Sequence, residues 1–279
     1  FQAEDGIRDV ERSRGSEMCI RDRYKASLED IKARLAYDKR QKEVLLEVTK
    51  GDEKKFQELM ETLRKQKEQF LKDLSRLVSQ KRMEIERRVQ KYGGRISGSI
   101  FGNFVYFAQD NGPWATTCIN NLCITDWDND PDVDTQMEDI GCAITSVAMV
   151  LKYYGDNVNP GILATDSRIL WGVLIKFYAV GDYYGARCIT GCYPGKNIDW
   201  KVVDEYLNQG KPVILMYLSG GYTHFVVAIG KINEKYFVYD PLWDVSQGKA
   251  VDLNASMEAF SALTGKETKV VRMVIFEKK

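Results

Sequence analysis

No proline precedes Pro113, and all six prolines of the 279-residue chain fall between Pro113 and Pro241. Proline removes a backbone donor and breaks helices, so a long proline-free stretch is what permits long helices. Residues 24–92 are such a stretch, dense in Lys, Arg and Glu. Residues 100–279 hold every proline, all five tryptophans and most of the aromatic side chains. The chain therefore divides into a solvated helical segment, 24–92, and a globular domain, 103–279. Gly93-Gly94 ends the first, and the Gly- and Ser-bearing stretch 93–102 reads as a linker. About 180 residues bury a sizeable core without help from metals or disulfides. The 40 basic and 40 acidic residues balance, so net charge points to neither nucleic acid nor an anionic membrane. No apolar run approaches the length of a transmembrane helix.

In the helical segment, apolar residues recur in steps of three, four and seven. They fall at Leu28, Ile31, Leu35, Leu45 and Val48, then at Phe56, Leu59, Leu63, Phe70, Leu74, Leu77, Ile85 and Val89. Between the two runs, Gly51 suits a left-handed helix cap and Asp52 an N-cap. The expectation is an antiparallel helical hairpin, a coiled coil whose role is spacing, self-association, partner binding or autoinhibition. The stretch LLEVTKGDEKKFQELM resembles the coiled-coil region of secreted bacterial cell-wall hydrolases and their activators. A generic solvated coiled coil fits the same pattern. Residues 1–23, FQAEDGIRDVERSRGSEMCIRDR, resemble translated sequencing-adapter read-through and are set aside with Cys19. The true N-terminus, with any signal peptide, is then expected to lie outside this sequence.

The globular domain opens with a short apolar run, Asn103–Ala108, expected as a strand. The segment GCAITSVAMVLKYYG, residues 141–155, places Ile144, Val147, Ala148, Val150 and Leu151 at helical spacing. Helical patterns follow over Pro160–Ala179 and Ile198–Asn208, the latter stopped by Gly210. Alternating or apolar runs at Pro212–Leu218, Thr223–Ile229, Tyr236–Tyr239 and Val270–Phe276 read as strands. Helices first and antiparallel strands last is an α+β layout. The acidic loop DWDNDPDVD, residues 126–134, alternates aspartates like a calcium loop, but lacks the glycine such a loop needs at its sharp turn. A solvated acidic loop is the favoured reading. Cys118/Cys123 and Cys188/Cys192 form two close pairs, which suit two disulfides in an oxidising compartment. A four-cysteine zinc site and buried thiols are the other readings, zinc being disfavoured by the loose spacing.

The remaining cysteine, Cys142, stands at a helix start. Unpaired N–H groups and the helix dipole favour an anion there, so the thiol is pushed toward the nucleophilic thiolate. The chain has one histidine, His224, on the strand-like run YTHFVVAIG, and Asp240 ends the next run, KYFVYDP. Cysteine on a helix, histidine on a strand and acid on the next strand is the chain order of papain-type cysteine peptidases.

FAQDNGPWA, GCAITSVAMVLKYYG, LNQGKPVI, THFVVAIG and YFVYDP, in that order, resemble the peptidase family 39-like cysteine peptidases, relatives of the bacteriocin-processing peptidases. The resemblance implies a papain-like fold, with Cys142 as nucleophile, His224 as general base and Asp240 as the group that orients the imidazole. It also implies an oxyanion-hole glutamine upstream of the cysteine. Gln109 stands in the family's glutamine–aspartate–tryptophan context, and Gln136 stands six residues before Cys142, as in the leader-processing branch; Gln109 is preferred. No cofactor or metal is called for, and the expected substrate is a peptide or a peptidoglycan peptide. The expected location is the bacterial cell envelope or its exterior. Other classes compete: a catalytically silent envelope-binding module, a peptidoglycan endopeptidase of the NlpC type, or a transglutaminase- or acetyltransferase-type acyl transferase. NlpC-type enzymes use a second histidine, which this chain lacks. The leader-processing role usually belongs to a domain fused to a transporter, and no transporter is present in the sequence.

Overall fold

The structure, a computed structural model, describes residues 19–48, 53–124, 135–195 and 197–279, and no side chain of residues 19–31, 48 or 53. Two compact units are separated within it: residues 22–84, and a unit running from Ile85 to Lys279.

The helical unit consists of most of α1 (Cys19–Val48) and most of α2 (Glu53–Lys91). Its surface is solvated by charge pairs one turn apart, such as Arg64–Glu68 at 3.5 Å and Lys65–Glu61 at 3.8 Å. Leu35, Leu71 and Leu77 are exposed along it. The caps expected at Gly51 and Asp52, and the acidic loop considered for calcium, lie outside the described residues. No described helix is long and apolar enough to cross a membrane.

The last turns of α2 belong to the globular unit, where Ile85 and Val89 are buried. The helix stops at Gly93 and Gly94, both at positive φ, with the Gly94 N–H bonded to the Val89 carbonyl. The stretch read as a linker carries structure of its own, β1 (Arg95–Ile96) and a 3₁₀ turn over Gly98–Phe101. Then follow a 3₁₀ turn at Ile119–Asn121, α3 (Met137–Ile140), α4 (Cys142–Tyr154) and α5 (Pro160–Ala164). Next come β2 (Leu170–Trp171), β3 (Leu174–Ile175), α6 (Phe177–Tyr183), β4 (Ala186–Thr190) and α7 (Trp200–Asn208). The chain ends through β5 (Val213–Ser219), β6 (Tyr222–Ile232), β7 (Lys235–Tyr239), α8 (Trp243–Ser246), β8 (Ala250–Asp252), α9 (Leu253–Thr264) and β9 (Thr268–Lys278).

Seven of these strands form one antiparallel sheet in the order β1-β8-β7-β6-β5-β9-β4. Side chains alternate across a strand, so each strand feeds two cores. Ile214, Phe225, Val227, Ile229 and Val274 face the core that contains α4. Leu215, Tyr217, Val226, Ala228, Val238 and Met273 face the other, shared with α7, α9, Ile85 and Val89. The molecule is thus a mixed helix and antiparallel-sheet protein, with helices covering both faces.

Two expectations fail. The run Asn103–Ala108 forms no strand and pairs with no ladder. The single helix expected over Pro160–Ala179 is instead α5, the hairpin β2–β3 and the start of α6. Its apolar residues fit a helical template, but Gly172, at φ +56, turns the chain between β2 and β3.

Candidate active site

Cys142 is the first residue of α4, a 13-residue helix, and is 2% exposed. Gly141 precedes it as the hinge between α3 and α4. A Cβ on Gly141 would come 2.4 Å from the Met137 carbonyl oxygen, so only glycine allows this turn. The helix packs against β6, the strand that carries His224. The positive end of the α4 dipole lies at the cysteine, which favours a thiolate there.

The motif Gln109–Trp114 acts as a clasp. Trp114 Nε1 donates to the Ala108 carbonyl at 2.6 Å, and its ring meets Phe107 edge-on. Gly112 is required beneath it, since a Cβ would lie 2.6 Å from the indole. The Gln109 backbone N–H donates to Pro241 O at 2.9 Å, and Gln109 Nε2 donates to Glu138 O at 3.0 Å. Asp110 Oδ1 accepts the Trp243 N–H at 2.9 Å. One loop therefore ties the segment leading into Cys142 to the segment leaving Asp240. Gln109 is 3% exposed. Burial holds the Asp110 carboxyl up at about 6, with the charges of Asp244 and Asp240 adding to the rise and backbone hydrogen bonds opposing it.

His224 and Asp240 are in direct contact: Nε2 to Oδ1, 2.8 Å. The ladder register explains it. Val227 pairs with Tyr239, so Asp240, one residue past β7, lies diagonal to His224 on the same face. Asp240 is fully buried. Its Oδ1 also accepts the Leu242 N–H at 3.0 Å, its Oδ2 accepts the Ser256 hydroxyl at 2.6 Å, and its own N–H donates to Ser246 Oγ at 2.8 Å. A buried carboxylate is tolerated when its oxygens are bonded this way. The His224 ring stacks on Phe260, centroids 5.1 Å apart at 20°. Neither Ser256 nor Phe260 was legible as a site residue; a serine four residues before a phenylalanine has no signature until α9 is recognised.

Gln136 is placed differently from Gln109. It is the N-cap residue of α3, but its side chain makes no capping bond; its backbone carries the contacts, bridging to Cys118 and accepting from Ile140 N at 3.2 Å.

Cys118 is bonded to Cys123, and Cys188 to Cys192, with Cα separations of 5.3 and 5.7 Å. Their sulfurs are consumed, so they form no four-thiolate zinc site. Cys142 takes part in neither bridge. The first disulfide sits in the segment leading to Cys142, which is tied together by backbone bonds: Ile119 N donates to Thr135 O, Met137 N to Thr117 O and Glu138 N to Ala115 O.

A family model described as the Peptidase_C39 like family matches residues 128–267, half of the chain, a span that includes Cys142, His224, Asp240 and Ser256. A solved structure from Bacillus anthracis, described as a C39-like peptidase, is 18% identical and covers 50% of this chain and 90% of its own, with a TM-score of 0.33. No curated protein matches the chain.

Proposed function

Because the chain belongs to the Peptidase_C39 like family, we propose that it is a cysteine peptidase of papain-like fold using Cys142, His224 and Asp240. The observation that carries this reading is the pair at 2.8 Å: the only imidazole in the chain is held through Nε2 by a buried carboxylate. That bond fixes the tautomer with the proton on Nε2 and leaves Nδ1 as the acceptor that exchanges a proton with the thiol in this reading.

In this reading His224 Nδ1 takes the Cys142 proton, and the thiolate attacks the scissile carbonyl carbon. The carbonyl π electrons move onto oxygen, and the Gln109 side chain and the Cys142 backbone N–H hold that oxyanion. The intermediate collapses, the C–N bond breaks, and imidazolium gives its proton to the leaving amine. A thioester remains on Cys142. Water then attacks it with His224 as base, and the acid product leaves with the thiol restored. Every proton returns to its starting place.

The two disulfides support action in an oxidising compartment, for which the bacterial envelope or exterior is our reading. A peptide or peptidoglycan peptide is the proposed substrate, and pairing of α1 with α2, or of two copies, is the proposed role of the helical unit.

The test is labelling of the intact chain with a cysteine-directed acyl probe, followed by incubation with a peptide library and purified peptidoglycan. Labelling should map to Cys142 and vanish in His224→Ala, and Cys142→Ala should lose all turnover. Full turnover in Cys142→Ala would sink the cysteine-peptidase reading, and an unaltered chain that shows neither labelling nor turnover would favour the envelope-binding module.

A further inference from the structure

Asp240 receives a third donor that the proposed chemistry does not use, and that donor has a donor of its own. Ser256 Oγ donates to Asp240 Oδ2 at 2.6 Å, which spends its single proton. The Tyr217 hydroxyl lies 2.9 Å from Ser256 Oγ and must therefore be the donor of that bond. The result is one directed chain, Tyr217 to Ser256 to Asp240, meeting His224 on the opposite carboxylate oxygen. Tyr217, Ser256 and Asp240 are fully buried and His224 is 2% exposed.

Two independent elements deliver this chain. Tyr217 is the cross-strand partner of His224 in the β5–β6 ladder, so register places the phenol beside the imidazole. Ser256 and Phe260 are four residues apart on α9 and so share one face; the first bonds Asp240 while the second stacks on His224. Burial, reinforced by the Asp240 charge, pushes the Tyr217 phenol well above its usual range, which keeps it protonated and a donor.

We propose that Ser256, backed by Tyr217, is a positioning residue: it fixes the Asp240 carboxylate in the rotamer that holds the His224 ring. The inference rests on the proposed function only in taking His224 as the catalytic base. A carboxylate with Oδ2 unfilled is free to turn about its Cβ–Cγ bond, and the His224 bond loosens with it. A hydrogen bond to a charged group is worth enough that its loss changes an equilibrium roughly tenfold or more.

The single histidine makes the test direct. In the full chain labelled with ¹⁵N-histidine, the Nε2 proton of His224 should be visible and exchange slowly with water. Ser256→Ala should speed that exchange at least about tenfold, and Tyr217→Phe should act in the same direction more weakly. Tyr217→Phe removes only an oxygen and keeps the ring packed on Phe260, so it guards against a Ser256 variant that fails to fold. In parallel, iodoacetamide alkylation of Cys142, followed by mass spectrometry of its peptide, should slow in Ser256→Ala. In an Asp240→Asn background, Ser256→Ala should change neither readout further. Unaltered Nε2–H exchange in both single variants, or an effect of Ser256→Ala undiminished by Asp240→Asn, would overturn the proposal. The exchange measurement needs no turnover, so it stands apart from any failure of the peptidase reading.

Discussion

Gln109 spends its backbone N–H on Pro241 and one side-chain N–H on Glu138, which leaves the second hydrogen of Nε2, the one the proposed mechanism assigns to the oxyanion. From this, Gln109→Ala should lower kcat by about 10²–10³ with little change in KM, because the lost donor meets the oxyanion only in the transition state. Gln136→Ala should stay within a few-fold of wild type, since the contacts of Gln136 are made by its backbone. Steady-state kinetics on the first substrate found decides between them, and a crippled Gln136→Ala would move the oxyanion role. Asp110 makes a separate prediction. Its carboxyl is held at about 6, above the roughly 3.9 of an unfolded aspartate. The folded chain keeps a proton that the unfolded chain has lost, so stability falls as pH rises from about 4 to 6. Asp110→Asn retains an acceptor for the Trp243 N–H and lacks this loss. It should be the more stable chain at neutral pH, by about 1–3 kcal/mol. Thermal melts of both chains across this pH range measure the difference; parallel curves would rule Asp110 out as the source.

The elements differ in how much of themselves they wrote into the sequence. α4 and α7 carry an apolar stripe over two or more turns, and β5, β6, β7 and β9 are runs of five to eleven residues, so their periods stand out. β1, β2, β3 and β8 are two or three residues long, too short for any period, and exist because a neighbour pairs with them. α9 does carry a stripe, Leu253, Met257, Phe260 and Leu263, between an Asp252 N-cap and a Gly265 stop, but it is absent from the helices expected above, and with it the donor to Asp240 goes unread. His224 and Asp240 were legible because the chain has only one imidazole to weigh. The end of α2 was legible as helix, but its docking was not. Ile85 and Val89 are buried, Lys91 and Tyr92 bond Glu258 on α9, and Arg95 Nη1 meets Glu86 at 2.6 Å. A chain begun at residue 95 should therefore lose its cooperative melt, whereas one begun near residue 80 should keep it. Ile85→Ala alone should cost about 2–5 kcal/mol in denaturant unfolding. A stable, active 95–279 fragment would show that this helix end is ornament. The Cys118–Cys123 bridge closes too short a loop to matter greatly for global stability. Replacing both cysteines by serine should lower Cys142 alkylation more than it lowers Tm, because the bridge sits in the segment leading into α4.

At the scale of the whole molecule, strand order and chain order disagree. β5, β6 and β7 are neighbours in both, as hairpin connections favour. β1, beside β8, and β9 depart from this; β9 comes after every proposed site residue, yet sits inside the sheet between β5 and β4. It also lies past residue 267, where the family match ends. Removing residues 268–279 should abolish acyl-probe labelling, although Cys142, His224, Asp240 and Ser256 all remain; labelling at the full-length rate would show the sheet closes without it. The consequence is one of timing. During synthesis the thiol leaves the ribosome about eighty residues before the imidazole and well over a hundred before β9. Until that strand slides between its neighbours, β5 has one partner and β4 has none. A nascent chain thus carries every proposed reactive group before its sheet is closed, and on the proposed function its chemistry would wait for β9.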